Sequence, residues 1–180
     1  MIELRRISKA DEDLKGWMAE HYSAPKGFVG RQLIYKVSCG AEVFGAIVAG
    51  SATRFLPGRE DFFECDLPLN YIVNNTFFHI APGESGYPLR NFSSTVVAEW
   101  RNRVAEDWAA QYGDPVFGWE ALVELPRTGE VYRRDGWTEV GATKGYTCKR
   151  TGGRGTDSWT GKRVWDTTNL RPKRVFVRHL

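Results

Sequence analysis

From residue 92 to 111 the apolar side chains Phe92, Val96, Val97, Trp100, Val104 and Trp108 recur every three or four positions. That spacing predicts one long helix with a one-sided apolar stripe. Asn91 or Ser93 is its expected cap, and Gly113 followed by Pro115 ends it. A shorter helix is expected to run through residue 21 from a cap at Ser8. Asp11, Glu12 and Asp13 then sit in its first turn, and Leu14, Trp17, Met18 and His21 share a face. LIYKV (33–37) and VFGAIV (43–48) are aliphatic and β-branched and flank a turn at Gly40, which predicts a hairpin. NYIVNNTFFHI (70–80), VFGWEALV (116–123) and TEVGATKGYTCK (138–149) read as further strands, with a short helix or turn at EVYRRDGW between the last two. Pro and Gly mark loops at 23–30, 50–61 and 81–88.

This order predicts an α+β fold, an α/β sandwich in which a mixed sheet is covered by a central long helix. Residues 1–150 are expected to form the domain. TGGRG (151–155) then leads into a basic C-terminal extension, 151–180, expected to pack on or extend the domain and to end in a strand, RVFVRHL. At 180 residues, 42% apolar and 13% aromatic, the chain has material for one real core, which excludes wholesale disorder. No apolar run is long enough to span a membrane, and the first residues carry no secretory apolar stretch. Cys39, Cys65 and Cys148 are odd in number and widely spaced, which excludes a fully paired disulfide framework and a CxxC zinc site. A reduced, cytoplasmic protein without a metal centre is expected.

Charge adds one feature. Residues 141–180 hold ten Lys/Arg against Asp157 and Asp166, whereas residues 1–140 hold fifteen against twenty Asp/Glu. Cations interleaved with Trp159 and Trp165 suit a polyanion with stackable bases. A solvated tail on an ordinary domain is the plainer alternative.

The segment GEVYRRDGWTEVGATKGY (129–146) is similar to the second half of GNAT (N-acetyltransferase-like) domains, where a short helix ends in a Tyr-x-x-x-Gly-aromatic step. More narrowly, the spacing of Gly129, Tyr132, Trp137, Gly141 and Thr143 resembles two groups. One is the Mom-type phage proteins that modify DNA adenine; the other is the component A domain of Druantia anti-phage systems. Asn75 and Phe77, LRNFSS (89–94) and the close RPKRVFVRHL (171–180) resemble the Druantia-type domain, and His21-Tyr22 resembles the Mom-type group. The coenzyme A loop of GNAT enzymes reads Arg/Gln-x-x-Gly-x-Gly/Ala; RNFSSTV (90–96) stands in its place without a glycine. Arg90, Ser93 and Ser94 are the candidate anion holders there.

Candidate chemistry follows from residues and resemblance together. Glu120 and Glu124 lie four apart on one strand, so they share a face. A carboxyl among apolar neighbours has a raised pKa and suits a general base, while a salt bridge to Arg133 or Arg134 is the structural alternative. His21 can move protons and Tyr22 can donate or stack, unless they cap the helix and fill the core. The resemblance places Tyr132 where many GNAT enzymes carry a general acid, against core packing. His79 reads as a satisfied core residue. Asn75 could read an adenine edge, and Arg54, Arg59, Lys144, Lys149, Arg150, Arg154, Lys162 and Arg163 could neutralise phosphates, with Trp159 stacking on a flipped base.

The resemblance therefore implies a transferase acting on a base amino group of double-stranded DNA, adenine N6 first, in a phage or defence setting. Its donor would be an acyl-CoA or another activated acyl group. A non-catalytic DNA-binding module of the same fold is the second expectation. An acetyl-CoA-dependent N-acetyltransferase of a small amine or protein is the third. No membrane partner is expected, and a homodimer is left open.

Overall fold

The computed structural model describes residues 1–23, 25, 27–64, 67–148, 165–166, 168 and 170–180. Its strands are β1 (Ile2–Ile7), β2 (Gln32–Cys39), β3 (Glu42–Ser51), β4 (Ile72–Ile80), β5 (Gly118–Glu124), β6 (Thr138–Ala142), β7 (Thr147–Cys148), β8 (Trp165–Asp166) and β9 (Lys173–His179). Its helices are α1 (Glu12–Glu20), α2 (Arg59–Phe63), α3 (Phe92–Tyr112) and α4 (Glu130–Arg134). Seven strands form one mixed sheet in the order β1-β2-β3-β4-β5-β9-β6, and β7 pairs with β8. The expected fold class is the observed one.

Side chains alternate across the sheet, so each strand serves two cores. Leu33, Tyr35 and Val37 of β2, with Trp119 and Ala121 of β5, pack on one face against Val96, Val97, Trp100 and Val104 of α3 and Tyr132 of α4. On the other face Ile34, Ala46, Val48 and Phe77 pack under Leu14 of α1. Beside them Ile72, Val175 and Val177 pack under Phe63 of α2. Trp100 and Trp119, both wholly buried with rings 5.3 Å apart, fix α3 over the centre of the sheet.

Three local expectations are corrected. Asp11, not Ser8, caps α1, its carboxylate accepting from the Asp13 and Leu14 amides at 3.1 and 3.4 Å. The short, charged β1 was not expected, because IELRRI is an edge strand whose burial is incomplete. The strand expected over 138–149 is broken into β6 and β7.

The end of the chain extends the sheet from within: β9 lies between β5 and β6, antiparallel to both. Val175, Phe176 and Val177 are wholly buried there.

Two irregularities position the site. β4 and β5 are parallel neighbours only over Ile72–Asn75 and Gly118–Ala121, after which they part. In the β3–β4 ladder the register passes from Val48↔Phe77 to Ala49↔Asn75, so Thr76 is an unpaired bulge. The extra residue reverses the alternation, and Phe77 consequently joins the α1 side while Phe78 joins the α3 side.

Candidate active site

The parting of β4 and β5 opens a cleft of about 680 Å³. Asn75 to Ile80 form one wall, Leu122, Val123 and the turn at 126–132 the other, and His21 and Tyr22 close one side. The Arg127 guanidinium lies 3.5 Å from the centre of the Tyr22 ring, so the end of α1 is stacked against the β5–α4 turn across the cleft.

The His21 and His79 rings lie 6.0 Å apart in this cleft, with Phe77 tilted against His21 and stacked on His79. His21 Nδ1 is 2.8 Å from Ser23 Oγ. Burial lowers the His21 pKa to about 4, and the neighbouring His79 lowers it further than the Glu124 charge can restore. Burial also lowers His79 below its ordinary value, against the pull of Glu20. Both imidazoles are therefore neutral near pH 7. His79 Nε2 is buried without a hydrogen-bond partner, 3.8 Å from the Glu20 carboxylate. An unpartnered, neutral imidazole nitrogen in a cleft can accept a proton.

Tyr132 reaches the apex from α4. Its hydroxyl donates to Asn75 Oδ1 at 2.5 Å. Burial pushes its phenol well above the usual range, so it is protonated at rest. Tyr22 is half-exposed at the cleft mouth, its phenol also raised by burial.

A second hollow of about 210 Å³ adjoins the cleft, because Glu130 and Val131 line both. Tyr87, Arg90, Ser93, Ser94 and Arg134 surround it at the start of α3. Asn91 makes no side-chain cap there; the Phe92 amide donates to the Leu89 carbonyl at 3.2 Å, and no cap side chain takes the Ser93 and Ser94 amides of this 21-residue helix. Phe92 also borders the hollow, with its ring buried in the core.

The remaining sequence candidates divide sharply. Glu120 and Glu124 do share a face, but Glu120 is wholly buried away from the cleft, 2.9 Å from Arg59. It accepts from the Thr53 amide at 2.5 Å, and burial raises its pKa despite these partners. Its expected catalytic role gives way to a structural one. Arg59, expected on phosphate, is the buried partner of that carboxylate and also donates to the Thr53 and Arg54 carbonyls. Glu124 is held by Arg171 at 2.7 Å and is not part of the cleft lining. Asn75 is buried with its amide spent on Val48, Phe77 and Tyr132, so it reads no base. Arg54 and Lys144 are exposed and line no part of the cleft. Lys149, Arg150, Arg154, Trp159, Lys162 and Arg163 lie outside the described residues. Sequence reasoning took His79 for a satisfied core residue and passed over Arg127. The bulge at Thr76, beside the Asn74-Asn75 pair, turns His79 toward His21.

No protein-family model and no curated protein matches the chain. Solved structures do. Arabidopsis thaliana NAA60 in complex with a bisubstrate analogue matches with a TM-score of 0.59 at 13% identity, over 99% of this chain and 98% of that one. A Bacillus subtilis acetyltransferase in complex with CoA matches with a TM-score of 0.58 at 12% identity, over 100% and 99%. A Salmonella typhimurium acetyltransferase that modifies the N-terminal serine of ribosomal protein L7/L12 matches with a TM-score of 0.50 at 14% identity over 84% of this chain. The present chain spans 65% of that protein's length. The protein has the GNAT acetyltransferase fold, and at these identities the likeness is one of fold.

Proposed function

We propose that the protein is an acyl-CoA-dependent N-acyltransferase working at the apex where β4 and β5 part. The observation that carries this reading is that the apex cleft and the hollow at the start of α3 lie side by side, sharing Glu130 and Val131 as lining. The residues present fit the donor. Arg90, Arg134 and the uncapped amides of Ser93 and Ser94 suit a diphosphate, and two neutral histidines and a neutral phenol lie in the adjoining cleft.

A bound acyl-CoA would supply a thioester whose acyl group passes to an acceptor amine, a C–N bond forming as the C–S bond breaks. His79 Nε2 takes the amine proton, with the Glu20 carboxylate nearby to favour the resulting imidazolium. His21 stays neutral beside it, because two cationic rings 6.0 Å apart repel. Tyr132 gives its hydroxyl proton to the departing sulfur. Tyr22 and Arg127 shield the site from water.

A second reading concerns the acceptor. Residues 143–172, joining β6 to β9, carry seven Lys/Arg against two Asp, and Lys173, where this segment rejoins the sheet, lines the cleft. That charge favours an amine borne on a polyanion, with the exocyclic amine of adenine in DNA as the specific candidate. Calorimetric titration with acetyl-CoA, followed by mass spectrometry of peptides and adenine-containing oligonucleotides incubated with both, tests the two readings. Saturable binding, weakened about tenfold by Arg90→Ala with Arg134→Ala, is expected. The acceptor that gains an acyl mass chooses between readings. Absence of acetyl-CoA binding overturns the transferase and leaves a binding module of this fold.

A further inference from the structure

We infer that Asn75 is a positioning residue that aims the Tyr132 hydroxyl at the apex and clamps the β4 bulge. The inference rests on the acyl-transfer reading for its catalytic meaning and on geometry for everything else. Asn75 is the last residue of β4 paired with β5 and sits directly before the unpaired Thr76. Its Nδ2 donates to the Val48 carbonyl at 3.2 Å and to the Phe77 carbonyl at 3.3 Å, one on each strand at the bulge. Its Oδ1 accepts from Tyr132 at 2.5 Å. A single buried amide thus ties the strand irregularity that opens the cleft to the only proton donor at its apex among the residues named above.

The Tyr132 ring is already fixed by packing. It meets Trp137 edge-on at 5.1 Å and stacks on Phe176 at 5.6 Å. What packing cannot set is the rotation of the hydroxyl about its C–O bond, and this the Asn75 carbonyl determines. The amide oxygen is a weaker acceptor than a thiolate, so Asn75 holds the proton in place until a departing sulfur claims it. The Tyr132 O–H bond then breaks as an S–H bond forms, and solvent returns a proton to the phenolate.

A double-mutant cycle in the full-length protein tests this. Asn75→Ala is expected to lower kcat about tenfold or more while the Kd for acetyl-CoA stays within about threefold. In a Tyr132→Phe background the same change is expected to lower kcat by far less than in the unsubstituted protein, because only the bulge contacts remain to be lost. Asn75→Ser, which cannot reach the phenol and both carbonyls together, serves if the alanine variant does not fold, with the same expectation. Proton NMR supplies a readout apart from activity: a slowly exchanging downfield hydroxyl proton, absent in Tyr132→Phe, is expected to vanish in the Asn75 variants. Loss of kcat that multiplies in the double variant, or a hydroxyl proton that survives without Asn75, overturns the inference. If the unsubstituted protein transfers no acyl group while that proton is present, the acyl-transfer reading fails, the catalytic role falls with it, and the Asn75–Tyr132 pairing stands.

Discussion

Arg59 and Glu120 meet 2.9 Å apart in the interior, with side chains 2% and 0% exposed. The pair ties the loop after β3 to the centre of β5, because each partner also bonds the Thr53 backbone. The carboxylate is thus occupied in holding the fold together. Removing one member of a buried pair strands the other charge, which costs about 3–5 kcal/mol. Glu120→Gln is expected to lower the unfolding free energy by that order while the soluble fraction still binds acetyl-CoA. Unchanged stability with lost transfer would return Glu120 to catalysis.

Transfer should fall as the solution is acidified, because His79 must be neutral to accept a proton. Its pKa is lowered by burial, so the midpoint of the acid limb of kcat/KM is expected below the ordinary histidine value of about 6.5. In His79→Gln the rate should drop and that limb should disappear. A limb that persists in the variant assigns the base elsewhere.

His21 makes a separate statement about stability. The folded protein keeps it neutral down to about pH 4, whereas the unfolded imidazole takes a proton near pH 6.5. Between those values the unfolded state binds more protons, so stability falls as pH falls, by at most about 1.4 kcal/mol per pH unit. Urea denaturation from pH 7 to 4 is expected to show that slope, and His21→Gln to reduce it.

Gly129 opens α4 in the left-handed region at φ 72°, and a Cβ there would lie 2.3 Å from the Phe176 ring. Gly129→Ala is therefore expected to destabilise the protein by more than about 1 kcal/mol and to displace Tyr132. Thermal denaturation reads the first effect, and loss of the Tyr132 hydroxyl proton in NMR reads the second.

The amino-acid sequence by itself determined the elements whose pattern is local. The stripe from Phe92 to Trp108 makes α3. The aliphatic runs about Gly40 make the β2–β3 hairpin. The Tyr132-to-Trp137 step marks α4 and the return to the sheet. Each follows from which side chains recur at helical or strand spacing within about twenty residues. Only the tertiary structure decided which of these became neighbours. It set β9 between β5 and β6, so that an apparent basic tail ends inside the core. It joined Arg59 to Glu120 and Tyr132 to Asn75, pairs separated by 61 and 57 positions along the chain. It also placed the bulge at Thr76 that turns His79 toward His21. Such pairings depend on strand order and register, which the whole sheet settles at once by burying its apolar faces, and a local period carries no record of them.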